Sequence, residues 1–251
     1  MSRLLTALEK LSKESRTSIG FSASSKTSKT PAMALVGLIE NNHVQAATRL
    51  SRINPDGVFL GGTYTKDQLS VIAKTLNGVP FGVIFGETYP FEDKPVGKDY
   101  DFYLVRLGTM PVQSMNDDNA AYVLNIPLDT EDRVLRTIGA LPVDAVFVCL
   151  EIKDAPMTLG HLSCIGSIRT MIDKYLMVRV PVTISPKEVE CLRDIGVDVL
   201  VLDVGRSSIK ILDDFKEMLN NIPRQRKSRK ESTVGTSLRQ GPHPLTTALL
   251  D

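Results

Sequence analysis

Short continuous runs of apolar residues, separated by segments with helical periodicity, dominate the pattern of the chain. A continuously apolar run of this length is typical of a parallel β-strand that is buried on both faces. Strands that alternate with helices along a chain indicate a parallel sheet. The eight runs are Met33–Glu40, Gly57–Gly62, Phe81–Glu87, Asp101–Leu107, Tyr122–Pro127, Asp144–Ile152, Leu176–Ile184 and Asp198–Gly205.

Eight strand–helix units in 251 residues match the number and size of a (β/α)8 barrel. We therefore predict one barrel domain over residues 1–222. One assignment has an alternative, because Ala32–Ile39 could begin a long helix that runs to Ile53, with Ser18–Ser22 as the first strand. We prefer the strand, since the run lacks a polar face and Asn41 and Asn42 separate it from the next helical pattern.

Both ends of the chain differ from the central pattern. Ser2–Glu14 places leucines at helical spacing opposite charged residues, which predicts an amphipathic helix. We expect this helix to cover the bottom of the barrel. Pro223–Asp251 has no periodicity and is predicted to be a disordered basic tail. From Arg224 onward it carries six basic and two acidic residues, so its net charge is +4 and that of the preceding body is −3.

The connections between the runs are uneven. Thr88–Tyr100 contains two prolines and a glycine, which argues against a regular third helix, and the fourth helix is expected to be short, around Pro111–Asn119. Asp129 or Thr130 is the expected N-cap of a helix over Glu131–Ala140. The segment Lys187–Gly205 resembles the closing half-barrel of many small-metabolite barrels. This resemblance covers about 20 residues; it supports the fold and implies no particular activity.

Composition narrows the class of function. A mildly acidic body, 6% aromatic residues and no tryptophan argue against a nucleic-acid surface. The basic stretch Arg224–Lys230 is short and lacks aromatic residues, so we interpret it as solvated. No apolar stretch approaches the roughly 18 residues of a membrane span. Three cysteines without CxxC spacing indicate reduced thiols and a cytoplasmic protein.

Candidate reactive groups are sought at the carboxyl ends of the strands, where (β/α)8 barrels carry their active sites. Glu87 and Glu151 are the preferred catalytic candidates, because each directly ends a long apolar run, where an unpaired charge would be costly. Asp203 is the third. Converging carboxylates can act as acid and base or bind a divalent cation such as Mg²⁺, the candidate cofactor. Five carboxylates fall at strand ends: Glu40, Glu87, Asp129, Glu151 and Asp203.

Basic and hydroxyl side chains near the same strand ends suggest anion binding. Arg206 and Ser207 follow the eighth run and open the last helix, where backbone N–H groups also point outward. Arg106 lies near the end of the fourth run. Arg179 lies within the seventh, where it is a substrate clamp or a structural ion pair. Because three carboxylates buried with only one arginine would leave negative charge uncompensated, we predict that a divalent ion, Arg106 or Arg179 shares their cavity.

The sequence contains no catalytic motif that is specific enough to identify a reaction. The chain has no dinucleotide fingerprint, Walker loop, nucleophile elbow or HExxH pattern. A Schiff-base lysine at Lys153 is disfavoured, because Glu151 nearby would stabilise its ammonium form. The main hypothesis is an enzyme of lyase or isomerase type that acts on a small anionic metabolite, phosphorylated or not. The alternatives are a non-catalytic barrel that binds or assembles and, less favoured, a flavin-binding barrel; a homo-oligomer is compatible with all three.

Overall fold

The computed structural model describes residues 1–16, 31–40, 43–62, 64–84, 100–115, 119–152, 156–205 and 207–224. Eight strands alternate with helices along these ranges. The strands are β1 (Ala34–Ile39), β2 (Gly57–Leu60), β3 (Phe81–Ile84), β4 (Phe102–Arg106), β5 (Ala121–Ile126), β6 (Ala145–Cys149), β7 (Tyr175–Val180) and β8 (Val199–Asp203). The helices are α1 (Arg3–Arg16), α2 (His43–Ile53), α3 (Lys66–Leu76), α4 (Asp132–Ile138), α5 (Leu159–Met171), α6 (Pro186–Ile195) and α7 (Ile209–Asn221).

The strands form a closed parallel barrel in chain order. Each strand pairs with its neighbour in the sequence, and β8 closes the barrel by pairing with β1, with Val36 opposite Val201. All eight predicted strands are therefore confirmed, and Ala34–Ile39 is a strand and not the start of a long helix. The strands are four to six residues long, shorter than the apolar runs, because the last apolar residues of several runs already belong to the loops that lead into the helices.

Side chains alternate between two apolar layers, as the pleat of a strand requires. One set fills the barrel interior, including Phe59, Phe102, Phe147 and Met177. Phe59 packs edge-to-face against Phe102 with ring centroids 4.8 Å apart. The other set lies between the strands and the surrounding helices. Because both faces are covered, almost every strand position is apolar, which is why the runs could be recognised in the sequence.

An aspartate stands directly before every second strand. Asp56, Asp144 and Asp198 precede β2, β6 and β8, and each carboxylate accepts the backbone N–H of the second residue of the preceding strand at 2.8 Å. The donors are Leu35, Tyr122 and Leu176. Each of these bonds ties two strands across the helix that separates them in sequence. Sequence reasoning did not detect this repeat, although the aspartates are visible in the sequence at the start of alternate runs.

The fourth aspartate of this set, Asp101 before β4, binds the N-terminal helix instead. Its buried carboxylate accepts the Ser2 hydroxyl at 2.6 Å, the Arg3 N–H at 2.7 Å and the Leu4 N–H at 2.8 Å. These bonds satisfy N–H groups that the first turn of a helix leaves unpaired. Leu4 and Leu8 of α1 are buried among the interior residues of the barrel. The helix therefore covers the barrel bottom, as predicted.

Leu4 is accommodated by a glycine at the start of β2. A β-carbon on Gly57 would lie 3.1 Å from the Leu4 Cδ1 atom, closer than an ordinary contact. The absence of that carbon lets the leucine side chain approach the strand closely.

Three helices begin with the same side-chain motif. In α3, α5 and α6 the N-cap hydroxyl accepts the N–H of the third helical residue, whose side chain in turn accepts the N-cap N–H. Ser185 followed by Pro186 starts α6, as the sequence indicates. The expected cap at Asp129 or Thr130 is wrong: α4 begins at Asp132, and its N-cap residue, Glu131, makes no side-chain cap bond.

The connections after β3 and β4 are the irregular ones. Between β4 and β5, where residues 107–115 and 119–120 are described, the structure has a 3₁₀ turn, Val112–Ser114, and no α-helix. Residues 85–99, which contain most of the predicted irregular third connection, and residues 225–251 of the predicted tail lie outside the described ranges. Ile222 is buried, and Arg224 donates a hydrogen bond to the Pro31 carbonyl at 3.4 Å. None of the helices described is long and apolar enough to cross a membrane.

Candidate functional site at the barrel mouth

A cavity of about 790 Å³ opens at the carboxyl ends of the strands. It is lined by interior strand residues such as Leu38, Leu104 and Phe147, by the segments that follow β4, β5 and β6, and by the start of α5. Two arginines and three carboxylates lie among the side chains that line it. The polar lining residues are Glu40, Arg106, Asn125, Asp129, Cys149, Glu151, His161, Cys164 and Arg179.

Arg179 of β7 links three strands at this cavity. Its Nη1 lies 3.2 Å from a carboxylate oxygen of Glu40, which follows β1, and its Nη2 lies 2.9 Å from Asp203 Oδ2 at the end of β8. The side chains are 27%, 42% and 39% exposed, respectively. Ion pairs this accessible to water contribute little stability, up to about 1 kcal/mol each. Their geometry therefore matters more for the charge that the cavity presents than for folding.

Asp203 connects this ion pair to the loop between β8 and α7. Its Oδ1 accepts the Gly205 N–H at 2.9 Å, and its backbone carbonyl accepts the Ser207 hydroxyl at 3.3 Å. The Arg49 guanidinium of α2 donates to the carbonyls of Ser207 at 2.6 Å and Gly205 at 3.4 Å. The loop after β8, for which anion binding is predicted, is thus hydrogen-bonded to Arg49 of α2 and, through Asp203, connected to Arg179.

Ser207 itself lies away from the cavity. It is buried, and its hydroxyl is directed to the Asp203 carbonyl. Ser208 provides the N-cap of α7, accepting the Ile211 N–H at 3.4 Å. Glu87 and Arg206, the other predicted residues of this end of the barrel, lie outside the described residues.

Arg106 and Glu151 both line the cavity, so each faces the mouth. Arg106 is the last residue of β4. The prediction that Glu151 directly ends a buried strand is wrong, however. Strand β6 ends at Cys149, and Glu151 follows it as an exposed residue of the loop. Its charge remains hydrated and needs no buried partner.

Cys149 is a cavity residue that sequence reasoning did not select. It ends β6 in register with Arg179 of β7. Burial raises the pKa of the thiol, and the charges of Glu151 and Glu40 raise it further, against the lowering effect of Arg179. In the sequence this cysteine is one apolar residue in an apolar run; only its position as the last residue of a strand could have indicated the cavity.

Neither a three-ligand metal group nor a disulfide is found in the described part of the chain. Across the described ranges no group of three or more His, Cys, Asp or Glu side chains is arranged to hold a metal ion, so a Mg²⁺ site remains a prediction. Cys149, Cys164 and Cys191 are free thiols, as the sequence indicates. The chemistry that the described cavity offers is hydrogen bonding and ion pairing through two guanidinium groups, with carboxylates as proton acceptors or donors.

The closed parallel barrel with its interleaved helices and a charged cavity at the strand carboxyl ends places this chain in the TIM-barrel class. No protein-family model and no curated protein matches the sequence. Solved structures do match it. A variant of the tryptophan synthase α-subunit from the hyperthermophile Pyrococcus furiosus is 11% identical, with 76% of this chain and 98% of that chain covered and a TM-score of 0.57.

Two further structures are similar at the same level. A protein from Aquifex aeolicus VF5 is 13% identical, covering 89% of this chain and 100% of its own, with a TM-score of 0.61. The tryptophan synthase complex from Pyrococcus furiosus provides a chain that is 14% identical, covering 75% and 98%, with a TM-score of 0.54. At these identities the likeness shows the fold alone.

Proposed function

We propose that this barrel is an enzyme of lyase or isomerase type that binds a small anionic metabolite, carboxylated or phosphorylated, in the mouth cavity. The observation that carries the proposal is Arg179, held between Glu40 and Asp203. One arginine and two carboxylates contribute little to stability, and their net charge of −1 means that an anion needs a further cation beside them. We infer that a partly exposed charged cluster at the strand carboxyl ends, which adds so little to stability, serves a ligand.

Arg106 supports an anionic ligand, because it brings a second guanidinium to the same cavity. Guanidinium groups bind carboxylate and phosphate oxygens through two parallel hydrogen bonds. The carboxylates Glu40 and Glu151, which line the cavity, would then serve as proton acceptor and donor, the chemistry that lyase and isomerase reactions require. Asp203 pairs with Arg179 but is not among the lining residues, so its catalytic role stays a prediction. Arg206, which follows β8 in the sequence, remains a predicted third cation of the site.

The first test is a binding measurement. Inorganic phosphate, malonate and citrate are titrated against the wild-type protein by calorimetry, with and without Mg²⁺. Arg179→Gln and Arg106→Gln should each weaken binding at least tenfold, the loss expected when one charged hydrogen-bonding partner is removed. The matched control is Lys74→Gln, which removes an exposed cation from the last turn of α3. Equal affinity in all four proteins would refute the assignment of the site.

A non-catalytic binding protein is the second candidate, favoured by the connection between β4 and β5, whose described residues form a short 3₁₀ turn and no α-helix. The two candidates differ in turnover. A metabolite that binds is incubated with the protein and followed by proton NMR; loss of the starting signals supports an enzyme, and unchanged spectra support a binding protein. A cytoplasmic location and self-association remain part of the proposal and are tested by fractionation and by sedimentation.

A further inference from the structure

His161, at the start of α5, occupies a position that glutamine and glutamate fill elsewhere in this chain. The N-cap residues Thr65, Thr158 and Ser185 are each paired with the third residue of their helix, which is Gln68, His161 and Glu188, respectively. The N-cap N–H needs only an acceptor from that side chain. Capping alone therefore does not require an imidazole, and it uses only one of the two ring nitrogens.

The cap determines which ring nitrogen carries the proton. The Thr158 backbone N–H donates to His161 Nδ1 at 3.1 Å. A nitrogen that accepts a hydrogen bond has no proton, so the neutral ring carries its proton on Nε2. The Thr158 hydroxyl lies 3.2 Å from the same Nδ1 and accepts the His161 backbone N–H at 3.4 Å. The capping contacts thus occupy one edge of the ring and leave Nε2–H on the other.

The residue that presents this donor lines the mouth cavity. His161 shares the cavity with the two arginines and with the carboxylates Glu40, Asp129 and Glu151. Glutamate at position 161 would add a further negative charge to that group. The neutral imidazole instead adds a hydrogen-bond donor to the cavity and no further negative charge.

We propose that His161 binds the ligand directly, its Nε2–H donating to a carboxylate or phosphate oxygen of the anion, while Thr158 fixes the ring in the tautomer that makes this possible. The inference rests on the proposed function, because it assigns one more contact to the same anion. It makes His161 a specificity-determining residue with two separable roles, since capping uses Nδ1 and recognition uses Nε2.

The tautomer is tested without a ligand. Long-range ¹H–¹⁵N spectra distinguish the two nitrogens of each ring, and the spectrum of His161→Gln identifies the signals of His161 among the three histidines of the chain. In the pH range where the ring is neutral, we expect a protonated Nε2 and a bare Nδ1. A protonated Nδ1 would overturn the inference.

Three variants separate recognition from capping, with inorganic phosphate and malonate as the probes. His161→Gln keeps both the cap acceptor and a donor, and should bind within about threefold of wild type. His161→Leu removes both and should lose about tenfold in affinity, as expected for one hydrogen bond to a charged group. Thr158→Ala removes the capping hydroxyl but leaves the backbone N–H on Nδ1, so it should lower the melting temperature and retain affinity.

The outcomes distinguish this inference from the proposal on which it rests. If the wild type binds neither probe, the proposed function fails, and the recognition role of His161 fails with it. If the wild type binds and His161→Leu binds equally well, only the role of His161 is wrong. Equal loss of affinity in His161→Leu and Thr158→Ala would show that the helix cap, and not the donor, supports binding.

Discussion

Replacing Asp101 by alanine should release α1 from the bottom of the barrel. The carboxylate accepts one hydroxyl and two backbone N–H groups within 2.8 Å, and it is buried. Without it these three donors lie at an apolar interface with no acceptor, at a cost of about 1–3 kcal/mol each. The chain can avoid much of this cost by letting the helix detach, which hydrates the donors.

Detachment sets the upper limit of the effect. It exposes Leu4 and Leu8, which are buried in the barrel interior and contribute about 1.5–3 kcal/mol each. We therefore expect Asp101→Ala to lower the free energy of unfolding by about 3–6 kcal/mol, the sum of the two leucine contributions. Against a typical total of roughly 5–15 kcal/mol, a loss of this size would be evident in any unfolding experiment.

Urea unfolding followed by circular dichroism measures the free energy, and hydrogen exchange of the α1 amides shows whether the helix is still docked. Asp101→Asn keeps one acceptor oxygen and should lose about half as much. Asp144→Ala removes a single bond, to the Tyr122 N–H, and should cost about 1–3 kcal/mol. Asp173→Ala, at an exposed residue of the α5–β7 loop, is the control and should change stability by less than about 0.5 kcal/mol. Loss below about 1 kcal/mol in Asp101→Ala, with α1 amides still protected, would refute the reasoning.

Three further predictions concern the barrel wall, the cavity thiol and a helix start. Gly82→Ala should destabilise the protein by about 3 kcal/mol or more in urea unfolding, because its β-carbon would lie 2.2 Å from the Phe102 carbonyl oxygen; a change below about 1 kcal/mol would contradict this packing. Burial raises the pKa of Cys149, so this thiol should react with iodoacetamide more slowly than the exposed Cys164 at mildly alkaline pH. Arg179→Gln should slow the reaction of Cys149 further, because it removes the cation that lowers the pKa of the thiol. Peptide mass spectrometry gives both rates, and a faster reaction of Cys149 in the variant would contradict this role of Arg179. Burial raises the pKa of Glu188, but hydrogen bonds from Ser185 and the Met157 N–H outweigh burial and hold the pKa below its ordinary value of 4.5. The stability that Glu188 contributes is therefore present above that pH and lost as the pH falls below it. The difference in melting temperature between wild type and Glu188→Gln should shrink in acid, and a constant difference would show that ionisation of Glu188 is not involved.

The arrangement of strands could be predicted because a closed parallel barrel buries both faces of every strand. Burial on both faces turns each strand into a continuous apolar run, and the helices between the runs keep their own period. For the same reason the amphipathic N-terminal helix could be predicted to cover the bottom of the barrel, since its leucines need an apolar surface to pack against. The start of a helix could also be predicted where adjacent residues determine it, as Ser185 and Pro186 do at the start of α6.

The candidate site depended on contacts between residues far apart in the sequence. Arg179 and Glu40 are 139 positions apart, and only the register of β7, β8 and β1 brings them together. Cys149 and His161 could not be chosen beforehand, because one is an apolar residue in an apolar run and the other is a helix-start residue. Their position at the cavity follows from where β6 ends and how α5 packs beside it.

The sequence by itself thus determined which segments are strands, which are helices and that the strands close into a barrel, because burial periodicity is a property of neighbouring residues. Only the tertiary structure decided that Asp101 turns away from its strand to hold α1, while Asp56, Asp144 and Asp198 bind strand amides. The four residues occupy equivalent places in the sequence pattern, and the difference arises because α1 brings its unpaired N–H groups to β4 alone. Which hydrogen-bond donors reach a given carboxylate depends on the packing of the whole chain.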